Sequence, residues 1–493
     1  MRKGKVCNMF EEVYEQLRDY QKVGVDTMLG RRHNLNYDDM GLGKTLTTLY
    51  VCLQRTRSVF EDKTFSSKIL IVCPGKALYV WQDELKRWFN LDSIIYHGPK
   101  TKRLQLLDDN MECPIIITTY GMLQELWQVF KFHSIIADEI HEAGLLNHKT
   151  KMFKIFKNYA RKAQHIYLLT GTPIRQGVKD CFAPLNLVNP DAFSGYWNFI
   201  NEHCIVTVTP FGKQIERNPK NVSGFRTMMN KYMIRRIKSE VLPDLPEKIR
   251  QVVPIQMTDK QSKVFKQLIT EFVYDSDFIE DDNNELIVAQ NAMIAMLRCR
   301  QLLVTPRLLG IDDDGAAFNY LREEGKYLLE NDRPFVVFTP FRQALPYIHT
   351  LLVSMDKRTA VFELCGGLTA EDFASRWKGF MEYPDNNKVL LCVIKSGASF
   401  HATCASDCFF LGYEWDFNLN TQSEDRLCRI GQKNTVHCRY LLNKDSVDDH
   451  VREVLNSKHY SSTLIIGTEQ QYKIIQECAD KYKISKKNNR IAV

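Results

Sequence analysis

The chain has 493 residues, of which 44% are hydrophobic, and this length allows two or three domains with separate cores. Charged residues make up 25% of it, and no stretch comes near the roughly 18 consecutive apolar residues that a membrane span requires. The net charge of +7 suits a nucleic-acid partner but is too small to identify one. The composition therefore excludes a membrane-spanning protein and predicts a soluble one.

The first residues and the cysteines both indicate an intracellular protein. The basic start Met1–Lys5 runs into Glu11 and Glu15 without an apolar core, so we expect no secretory signal. The 14 cysteines are scattered singly, mostly in apolar runs, as buried reduced thiols are. Cys404 and Cys408 come nearest to a metal-binding pair, but no second pair matches them, and we expect no zinc site.

Short apolar runs typical of buried strands alternate with helical stretches in two parts of the chain. The first set is Lys68–Cys73, Pro114–Thr118, Ser134–Ala137 and Ile166–Leu169. The second set is Phe335–Phe338, Ala360–Leu364, Lys388–Val393, Cys408–Leu411 and Val436–Leu441. Between Asp180 and Asn331 helical patterns predominate, as at Asp259–Phe272 and Ala289–Leu303. This pattern predicts an α/β fold with two parallel-sheet lobes and a helical insertion between them.

Two acidic stretches and the C-terminal end are expected to be solvated. Asp275–Glu285 and Asp312–Gly315 have the composition of exposed loops. The segment 481–490 is basic and is interpreted as a solvated terminus, a phosphate-contacting tail or a nuclear-import signal.

The segment Asp38-Asp-Met-Gly-Leu-Gly-Lys-Thr45 resembles the end of a phosphate-binding loop that opens into a helix. Glycines let the backbone N–H groups approach phosphate oxygens, and the helix N-terminus adds a favourable dipole. Lys44 would contact the β- and γ-phosphates and Thr45 would hold magnesium. The strict pattern has glycine where this chain has Asp38, so a plain glycine turn before a helix remains the alternative.

A pair of adjacent carboxylates follows the apolar run Ser134–Ala137. Asp138 would bind Mg²⁺ directly or through water, and Glu139 would orient and deprotonate the attacking water. Such a pair is also common at the start of a loop. Its position after a phosphate loop, in the next elements of an α/β lobe, favours the catalytic interpretation.

Two arginines in Gln422-Ser-Glu-Asp-Arg-Leu-Cys-Arg-Ile-Gly-Gln432 complete the candidate site. Arg426 and Arg429, three residues apart, are expected to share one helix face. From a second lobe they could reach the γ-phosphate and neutralise the charge that develops during transfer, although a solvated basic face is the alternative.

These residues resemble the SWI/SNF family of helicase-like ATPases, and the likeness covers nearly the whole chain. The resemblance implies ATP and Mg²⁺ as cofactors and two RecA-like lobes. It implies that Gln21, in Leu17-Arg-Asp-Tyr-Gln21, contacts adenine. The family's own phosphate loop has an acid at the position of Asp38, and the implied nucleotide-binding residues are Gln21, Asp39, Met40, Gly41, Leu42, Gly43, Lys44 and Thr45.

Further segments are similar to the family's motifs. Ile71-Val-Cys-Pro74 with Trp81 and Trp88 resembles motif Ia and Thr118-Thr-Tyr120 motif Ib, which line the nucleic-acid track in relatives. Asp138–His141 and Leu169–Pro173 stand at motifs II and III. The remaining segments match landmarks that general helicases lack or that complete the second lobe. They are Met233–Lys238, Leu245–Lys248, Gln301, Pro306, Pro334–Thr339 and Gln422–Gln432.

Three departures from the family pattern bear on the motor. The basic stretch after His141 is replaced by Glu142–Asn147, and Ser399 and His401 stand where motif V has glycine and asparagine. Trp415-Asp-Phe417 stands where relatives read Trp-Asn-Pro. These changes are expected to affect coupling more than ATP binding.

Pattern and resemblance together predict four regions. They are a helicase ATP-binding lobe at 1–180, a helical insertion and linker at 181–330, a helicase C-terminal lobe at 331–465 and a basic tail at 466–493. In size and layout the chain is similar to the global transactivator proteins of insect large DNA viruses, which implies the nucleus of the host as its location.

The expected function is a DNA-dependent ATPase that moves along duplex DNA and displaces or remodels bound protein, such as nucleosomes or transcription complexes. One alternative is a helicase that separates DNA or RNA strands, which the shared core alone supports. The other is a regulatory binding protein with an impaired motor, which the motif V changes suggest and the intact Lys44, Asp138 and Glu139 oppose.

Overall fold

The computed structural model describes residues 3–57, 68–110, 112–126, 130–175, 177–209, 212–277, 285–396 and 400–450, with 474, 477, 478 and 480–482. The chain divides into two compact units, 1–244 and 245–493. Most of the acidic segment Asp275–Glu285 and of the basic tail lies outside the described residues, and so does Ser399. No helix within the described ranges is both long enough and apolar enough to cross a membrane.

The first unit is built on a seven-stranded sheet in which every pairing is parallel. Its strands are β1 (Asn34–Asn36), β2 (Lys68–Val72), β3 (Ile94–Tyr96), β4 (Ile115–Thr118), β5 (Phe132–Ala137), β6 (His165–Leu169) and β9 (Met233–Ile234). They lie in the order β3-β4-β2-β5-β6-β1-β9. All residues of β2 and β4 are buried, as expected for a sheet covered on both faces.

Helices flank the strands of the first unit. They are Lys3–Gln16, Asp19–Leu29, Lys44–Arg55, Leu78–Phe89, Lys100–Asp109, Leu123–Leu126, Lys151–Lys162, Phe182–Val188, Tyr196–His203, Val222–Asn230 and Lys238–Val241. Apolar residues at helical spacing explain why these segments pack as they do. The helix Leu78–Phe89, for example, buries Leu78, Trp81, Leu85 and Phe89 along one face.

The second unit contains a six-stranded sheet that is also parallel throughout. Its strands are β10 (Lys248–Ile255), β11 (Phe335–Thr339), β12 (Ala360–Leu364), β13 (Lys388–Val393), β14 (Asp407–Leu411) and β15 (Val436–Asn443), in the order β10-β15-β14-β11-β13-β12. The helices are Asp259–Asp277, Glu285–Val304, Ala316–Glu330, Leu345–Met355, Ala370–Glu382 and Phe417–Glu424. Two parallel sheets covered by helices confirm the predicted α/β class.

The region expected to be a helical insertion contains strands as well as helices. Strands β7 (Cys204–Thr209) and β8 (Gly212–Pro219) form an antiparallel hairpin. Strand β9 adds to the first sheet and β10 adds to the second. Residues 181–330 therefore contribute to both compact units, while the functional division of the chain into four regions stays a prediction.

The loop at Asp312–Gly315 is where the sequence predicts it, but one of its carboxylates is tied down. Asp314 accepts a hydrogen bond from Nε of Arg307 at 2.7 Å and is also paired with Arg322. These two arginines lower the pKa of Asp314, against the opposing effect of its burial. This part of the loop is held in place and is not freely solvated.

Candidate active site

Three loops of the first unit leave neighbouring strands at the same edge of the sheet. The segment Asp38–Thr45 follows β1, Asp138 follows β5 and Thr170-Gly171 follows β6. Because β5, β6 and β1 are adjacent and parallel, their carboxyl ends bring these loops together. Open α/β sheets bind ligands at this edge.

The glycines of the first loop adopt the conformation that a phosphate loop needs. Gly41 has φ 84° and Gly43 has φ 76°, in the left-handed region that disfavours side chains. A Cβ on Gly43 would also lie 2.4 Å from Nε2 of Gln21. The helix Lys44–Arg55 begins directly after Gly43, so its N-terminal N–H groups face the loop. This is the anion-binding arrangement that the sequence predicts.

The side chain of Lys44 is folded into the loop. Its Nζ donates to the main-chain oxygen of Asp38 at 2.8 Å and to that of Asp39 at 3.3 Å. Gly171 borders the same place, since a Cβ there would lie 2.8 Å from Cγ of Met40 and 3.5 Å from Nζ of Lys44. A side chain at position 171 would therefore displace Met40, whereas it would only come into ordinary contact with the lysine.

Gln21 lies against the loop and helps to fix it. Its Nε2 donates to the carbonyl oxygen of Leu42 at 3.3 Å, and the hydroxyl of Tyr20 donates to the same oxygen at 3.1 Å. The main-chain N of Arg18 donates to Oε1 of Gln21 at 3.0 Å. Contact of Gln21 with a base stays a prediction, whereas its contact with the loop is a feature of the structure.

The acid that replaces glycine in the loop has a partner that sequence reasoning missed. Asp38 is fully buried and accepts hydrogen bonds from the main-chain N and the Nε of Arg236, each at 2.9 Å. Asp39 accepts a hydrogen bond from the main-chain N of Lys238 at 3.0 Å. The segment Met233–Lys238 is thereby attached to the loop Asp38–Thr45. The available signal in the sequence was an acid in place of glycine at Asp38 and the two adjacent arginines Arg235 and Arg236.

Asp138 is held by two donors. The indole Nε1 of Trp81 donates to Oδ2 of Asp138 at 2.9 Å, and the main-chain N of Glu139 donates to Oδ1 at 2.9 Å. Burial and the charge of Glu139 raise the pKa of Asp138 to about 7, although Trp81 and Lys44 act in the opposite direction. A cation bound beside Asp138 would favour its ionised form.

Trp81 corrects an expectation based on motif Ia. Its side chain is 1% exposed, so it does not line a nucleic-acid track but supports the carboxylate of Asp138. Trp88 is partly exposed, with its Nε1 donating to Glu84 at 2.9 Å and the guanidinium of Arg87 over its ring. Tyr120 of motif Ib donates its hydroxyl hydrogen to the carbonyl oxygen of Asp138 at 2.6 Å.

Glu139 connects the second and third motifs through a histidine. Its Oε2 lies 3.2 Å from Nδ1 of His141, which in turn lies 2.9 Å from the hydroxyl of Thr170. Burial alone would lower the pKa of His141, but the hydrogen bond and charge of Glu139 raise it overall. Glu139 itself has φ 48°, a conformation that is uncommon for a residue with a side chain and is often associated with functional sites.

The oxygen atoms near the loop fit Mg²⁺ better than a softer metal. Thr45 is partly exposed in the first helical turn, and Asp138 offers a carboxylate. No cluster of three or more His, Cys, Asp or Glu side chains suited to a metal occurs among the described residues. Magnesium usually needs only one or two protein carboxylates beside water and substrate phosphates, so this donor set is sufficient.

The arginines of the second unit do not lie on a helix. The helix Phe417–Glu424 ends before them, and both follow in a turn, so the prediction of a shared helix face is wrong. Arg426 is buried and its Nη1 donates to the carbonyl oxygen of Phe400 at 3.2 Å, whereas Arg429 is partly exposed. The chain turns directly after the helix, from Asp425 onward, so spacing alone did not locate the helix end.

A buried group of charges anchors this turn, and sequence reasoning missed it. Glu424 is fully buried and forms ion pairs with Nζ of Lys248 at 2.9 Å and with Nε of Arg250 at 2.7 Å. The hydroxyl of Tyr440 donates a hydrogen bond to Oε1 of Glu424 at 2.8 Å. These cations lower the pKa of Glu424, against the effect of its burial. Lys248 belongs to the segment Leu245–Lys248, so this family landmark contacts the segment Gln422–Gln432 at Glu424.

The departures from the family pattern are explained in part. Asp416 caps the helix Phe417–Glu424, because its side chain accepts a hydrogen bond from the main-chain N of Asn418 at 3.1 Å. Aspartate and asparagine are equally suited to that position. Trp415 lies under the guanidinium of Arg300 at 4.6 Å. His401 packs edge-on against Trp377, which donates to its carbonyl oxygen at 2.8 Å.

Comparison with known proteins places this geometry in a family. The model of the SNF2-related domain matches residues 20–308, which is more than half of the chain. The chain belongs to the SNF2-related domain family. Membership confirms the predicted family and the class of helicase-like ATPase domains.

Individual relatives of this SNF2-related chain are distant. It is 25% identical to the DNA annealing helicase and endonuclease ZRANB3 of Homo sapiens over 90% of this chain and 40% of that protein. It is 25% identical to the ATP-dependent DNA helicase DDM1 of Arabidopsis thaliana over 92% of this chain and 62% of the relative. It is 25% identical to the Chromodomain-helicase-DNA-binding protein 1-like of Mus musculus over 92% of this chain and 50% of that protein. The chain therefore spans between 40% and 62% of the length of these three relatives.

A solved structure described as the Sulfolobus solfataricus SWI2/SNF2 ATPase core in complex with dsDNA covers 95% of this chain and 96% of its own. Its sequence identity is 23% and the TM-score is 0.41.

Proposed function

We propose that this SNF2-related chain is a DNA-dependent ATPase that moves along duplex DNA and displaces or remodels bound protein. The observation that carries the proposal is the convergence of Lys44, Gly171 and Asp138 at one edge of the first sheet. A cation in a glycine loop beside a carboxylate pair is what phosphoryl transfer requires.

The triphosphate of ATP would lie in the loop Asp38–Thr45. Lys44 would exchange the carbonyl oxygens of Asp38 and Asp39 for β- and γ-phosphate oxygens, and the main-chain N–H groups of Gly41 and Gly43 would donate to phosphate. Gln21, which already contacts the loop, would use the remaining hydrogen-bonding capacity of its side-chain amide to contact the adenine. Met40 and Leu42 would shape the wall of the site.

Thr45 and Asp138 would hold Mg²⁺, which when bound neutralises negative charge on the β- and γ-phosphates. Trp81 keeps Asp138 oriented for this task, since its indole N–H fixes one carboxylate oxygen. Glu139 would orient the attacking water and accept its proton. His141 positions Glu139 and connects it to Thr170. Hydrolysis of the nucleotide could thereby change the conformation of motif III.

Arg429 is proposed to stabilise the charge that develops on the γ-phosphate during transfer. Arg426 was assigned the same role on sequence grounds, and its burial against Phe400 favours a structural role for it.

Duplex DNA as the activating polymer is supported by the family and by relatives that are named as DNA helicases. Nucleosomes or transcription complexes are proposed as the displaced material, since one relative is named as a chromodomain helicase. The resemblance in layout to the global transactivators of insect large DNA viruses supports a role in transcription in the host nucleus. Fluorescence microscopy of the tagged chain in insect cells would test this, and exclusion from the nucleus would contradict it.

The central test measures ATP hydrolysis with duplex DNA, single-stranded DNA and RNA at equal nucleotide concentration. Duplex DNA should stimulate the rate at least about tenfold more than RNA, and the stimulation should weaken steeply with salt as counterions are released. Equal activation by RNA would favour the strand-separating helicase. Hydrolysis absent under all conditions would favour the regulatory binding protein.

Two variants assign the activity to this site. Lys44→Ala should abolish turnover, because the loop loses the cation that binds and stabilises the phosphates. Glu139→Gln should still bind ATP but hydrolyse it slowly, because a carboxamide cannot accept the proton of water. Lys149→Ala, at an exposed position, is the matched control and should keep the wild-type rate.

A further inference from the structure

The first unit contains a second concave site whose lining is strongly basic. The cavity has a volume of about 470 Å³. Its charged lining residues are Arg31, Arg32, Lys157, Arg161 and Lys231, opposed by the single carboxylate of Asp191. A cavity of this size is typical of small-molecule sites.

The cavity lies at the opposite edge of the sheet from the phosphate loop. Arg31 and Arg32 precede β1, Ala163 precedes β6, and Lys231 precedes β9. Strands β6, β1 and β9 are adjacent and parallel, so their amino-terminal ends border the cavity. Asp38, Asp138 and Gly171 follow the carboxyl ends of the strands, so this cavity is not part of the nucleotide site.

Like charges are held together on one wall of the cavity. Lys157 and Arg161 are one helical turn apart in the helix Lys151–Lys162, an arrangement that repels and destabilises a helix. Lys157 is fixed in place, because its Nζ donates to Oδ1 of Asn186 at 2.7 Å. Burial and the nearby Arg161 lower the pKa of Lys157. A bound anion would relieve this repulsion.

Two residues that line the cavity, Arg31 and His33, each have a buried nitrogen without a hydrogen-bond partner among the described residues. Nη2 of Arg31 donates to the carbonyl oxygen of Asn230 at 2.8 Å, while its Nη1 has no hydrogen-bond partner among the described residues. Nδ1 of His33 is buried and equally lacks such a partner within that part of the chain. Buried polar atoms in native proteins are nearly always paired, so these two nitrogens leave hydrogen-bonding capacity unused beside the cavity.

We propose that this cavity binds a compact polyphosphate, a small molecule carrying several phosphate groups close together. A guanidinium group can donate two parallel hydrogen bonds to the oxygens of one phosphate. An ammonium group adds positive charge and requires no fixed geometry. A duplex presents its phosphates along an extended convex rod, whereas these cations line a concave site that is open to solvent on one side. The site goes beyond the proposed function, because it lies away from both the nucleotide and the strand ends that carry catalysis.

Calorimetric titration of the full chain with inorganic tripolyphosphate, with ADP saturating the nucleotide site, tests the proposal. Wild-type protein should bind one equivalent. The variant Lys157→Gln/Arg161→Gln should bind at least about tenfold more weakly, since two of the converging cations are lost. The matched control is Lys151→Gln/Lys154→Gln, which removes the same charge from the same helix at residues outside the cavity and should bind as the wild type does.

Thermal unfolding supplies the second measurement. Tripolyphosphate should raise the melting temperature of the wild type and of the control variant but not of Lys157→Gln/Arg161→Gln. Equal binding to all three proteins would overturn the proposal. Loss of binding in Lys44→Ala would also overturn it, by assigning the anion to the phosphate loop. Displacement of tripolyphosphate by excess duplex DNA would replace it with a DNA-backbone site.

Discussion

The carboxylate of Asp38 is bound by Arg236, which lies 198 residues later in the chain, through the main-chain N and the Nε at 2.9 Å each. The same guanidinium reaches the carbonyl oxygen of Tyr20 and lies 5.1 Å from the ring of that tyrosine. A Cβ on Gly24 would lie only 2.5 Å from Nη1 of Arg236, so a side chain there would require this guanidinium to shift. Asp38 therefore secures the edge strand β9 to the loop Asp38–Thr45, the proposed phosphate loop.

We expect Arg236→Gln to lower the free energy of unfolding of the first unit by about 3 kcal/mol, because it leaves the buried carboxylate of Asp38 without its cation. Asp38→Asn should cost a comparable amount, and the double variant should cost less than the sum of the two. Chemical denaturation followed by fluorescence measures all three. Arg235→Gln is the matched control, since Arg235 is exposed and lies 3.9 Å from Asp39, and it should change stability by no more than about 0.5 kcal/mol. Strictly additive effects would show that Asp38 and Arg236 are not coupled.

A second prediction concerns the buried charges beneath the arginine turn. Glu424→Gln should destabilise the second unit by about 3–5 kcal/mol, because Lys248 and Arg250 lose their shared carboxylate. Glu330→Gln, which breaks the exposed pair with Lys326, is the control and should change stability by less than about 0.5 kcal/mol. Denaturant titration measures both. If Glu424→Gln unfolds at the same denaturant concentration as the control, the buried group does not anchor the turn.

The sequence predicts the buried strands well because both faces of a parallel sheet are covered and the strands become continuous apolar runs. The run Lys388–Val393 matches β13 from its first residue to its last. Strand β1 was missed because two of its three residues are asparagines. Both are fully buried, and their side chains donate to the carbonyl oxygen of Met28 and to the hydroxyl of Thr48. Local hydrophobicity does not reveal such a strand.

The proposed phosphate loop and acid pair could be suggested from sequence because each is contiguous. Their supports could not, since Trp81 and Arg236 reach Asp138 and Asp38 from positions 57 and 198 residues away. Strand β10 was missed for a similar reason. Most of its residues are polar or partly exposed, and its place is set by pairing with β15. Pairing of distant segments is a tertiary property that spacing alone does not encode.

A third prediction concerns pH. Burial, together with the nearby Arg32, lowers the pKa of His33 from its usual 6.5 to about 4. Between these values the unfolded chain binds a proton that the folded chain does not. Stability is therefore fully present above pH 6.5 and is lost as the pH falls towards 4, by up to about 3 kcal/mol.

His33→Gln removes this titration, so the unfolding free energy of the first unit should depend less steeply on pH between 6.5 and 4. Denaturation at several pH values measures the slope. His97→Gln, at an exposed histidine, should retain the wild-type slope. A slope that is unchanged in His33→Gln would show that the folded protein protonates His33 as readily as the unfolded chain.

The last prediction separates the two arginines of the second unit. Arg429→Ala should leave ATP affinity within a few-fold of the wild type while cutting hydrolysis by roughly 10³ or more, because such an arginine acts mainly on charge formed in the transition state. Arg429→Lys should recover only part of the rate, since an ammonium lacks the planar fork of a guanidinium. Nucleotide binding and steady-state turnover on duplex DNA measure the two effects.

Arg426→Ala provides the contrast, because Arg426 is buried and donates to the carbonyl oxygen of Phe400. Its loss leaves a buried acceptor without a donor, so it should lower the melting temperature, with turnover falling in proportion to the folded fraction. Arg429 is partly exposed, and Arg429→Ala should melt close to the wild-type temperature. If Arg429→Ala is fully folded and hydrolyses ATP at the wild-type rate on duplex DNA, this arginine does not act on the transition state. In that case the charge on the γ-phosphate must be stabilised by Lys44 and the N-terminus of its helix.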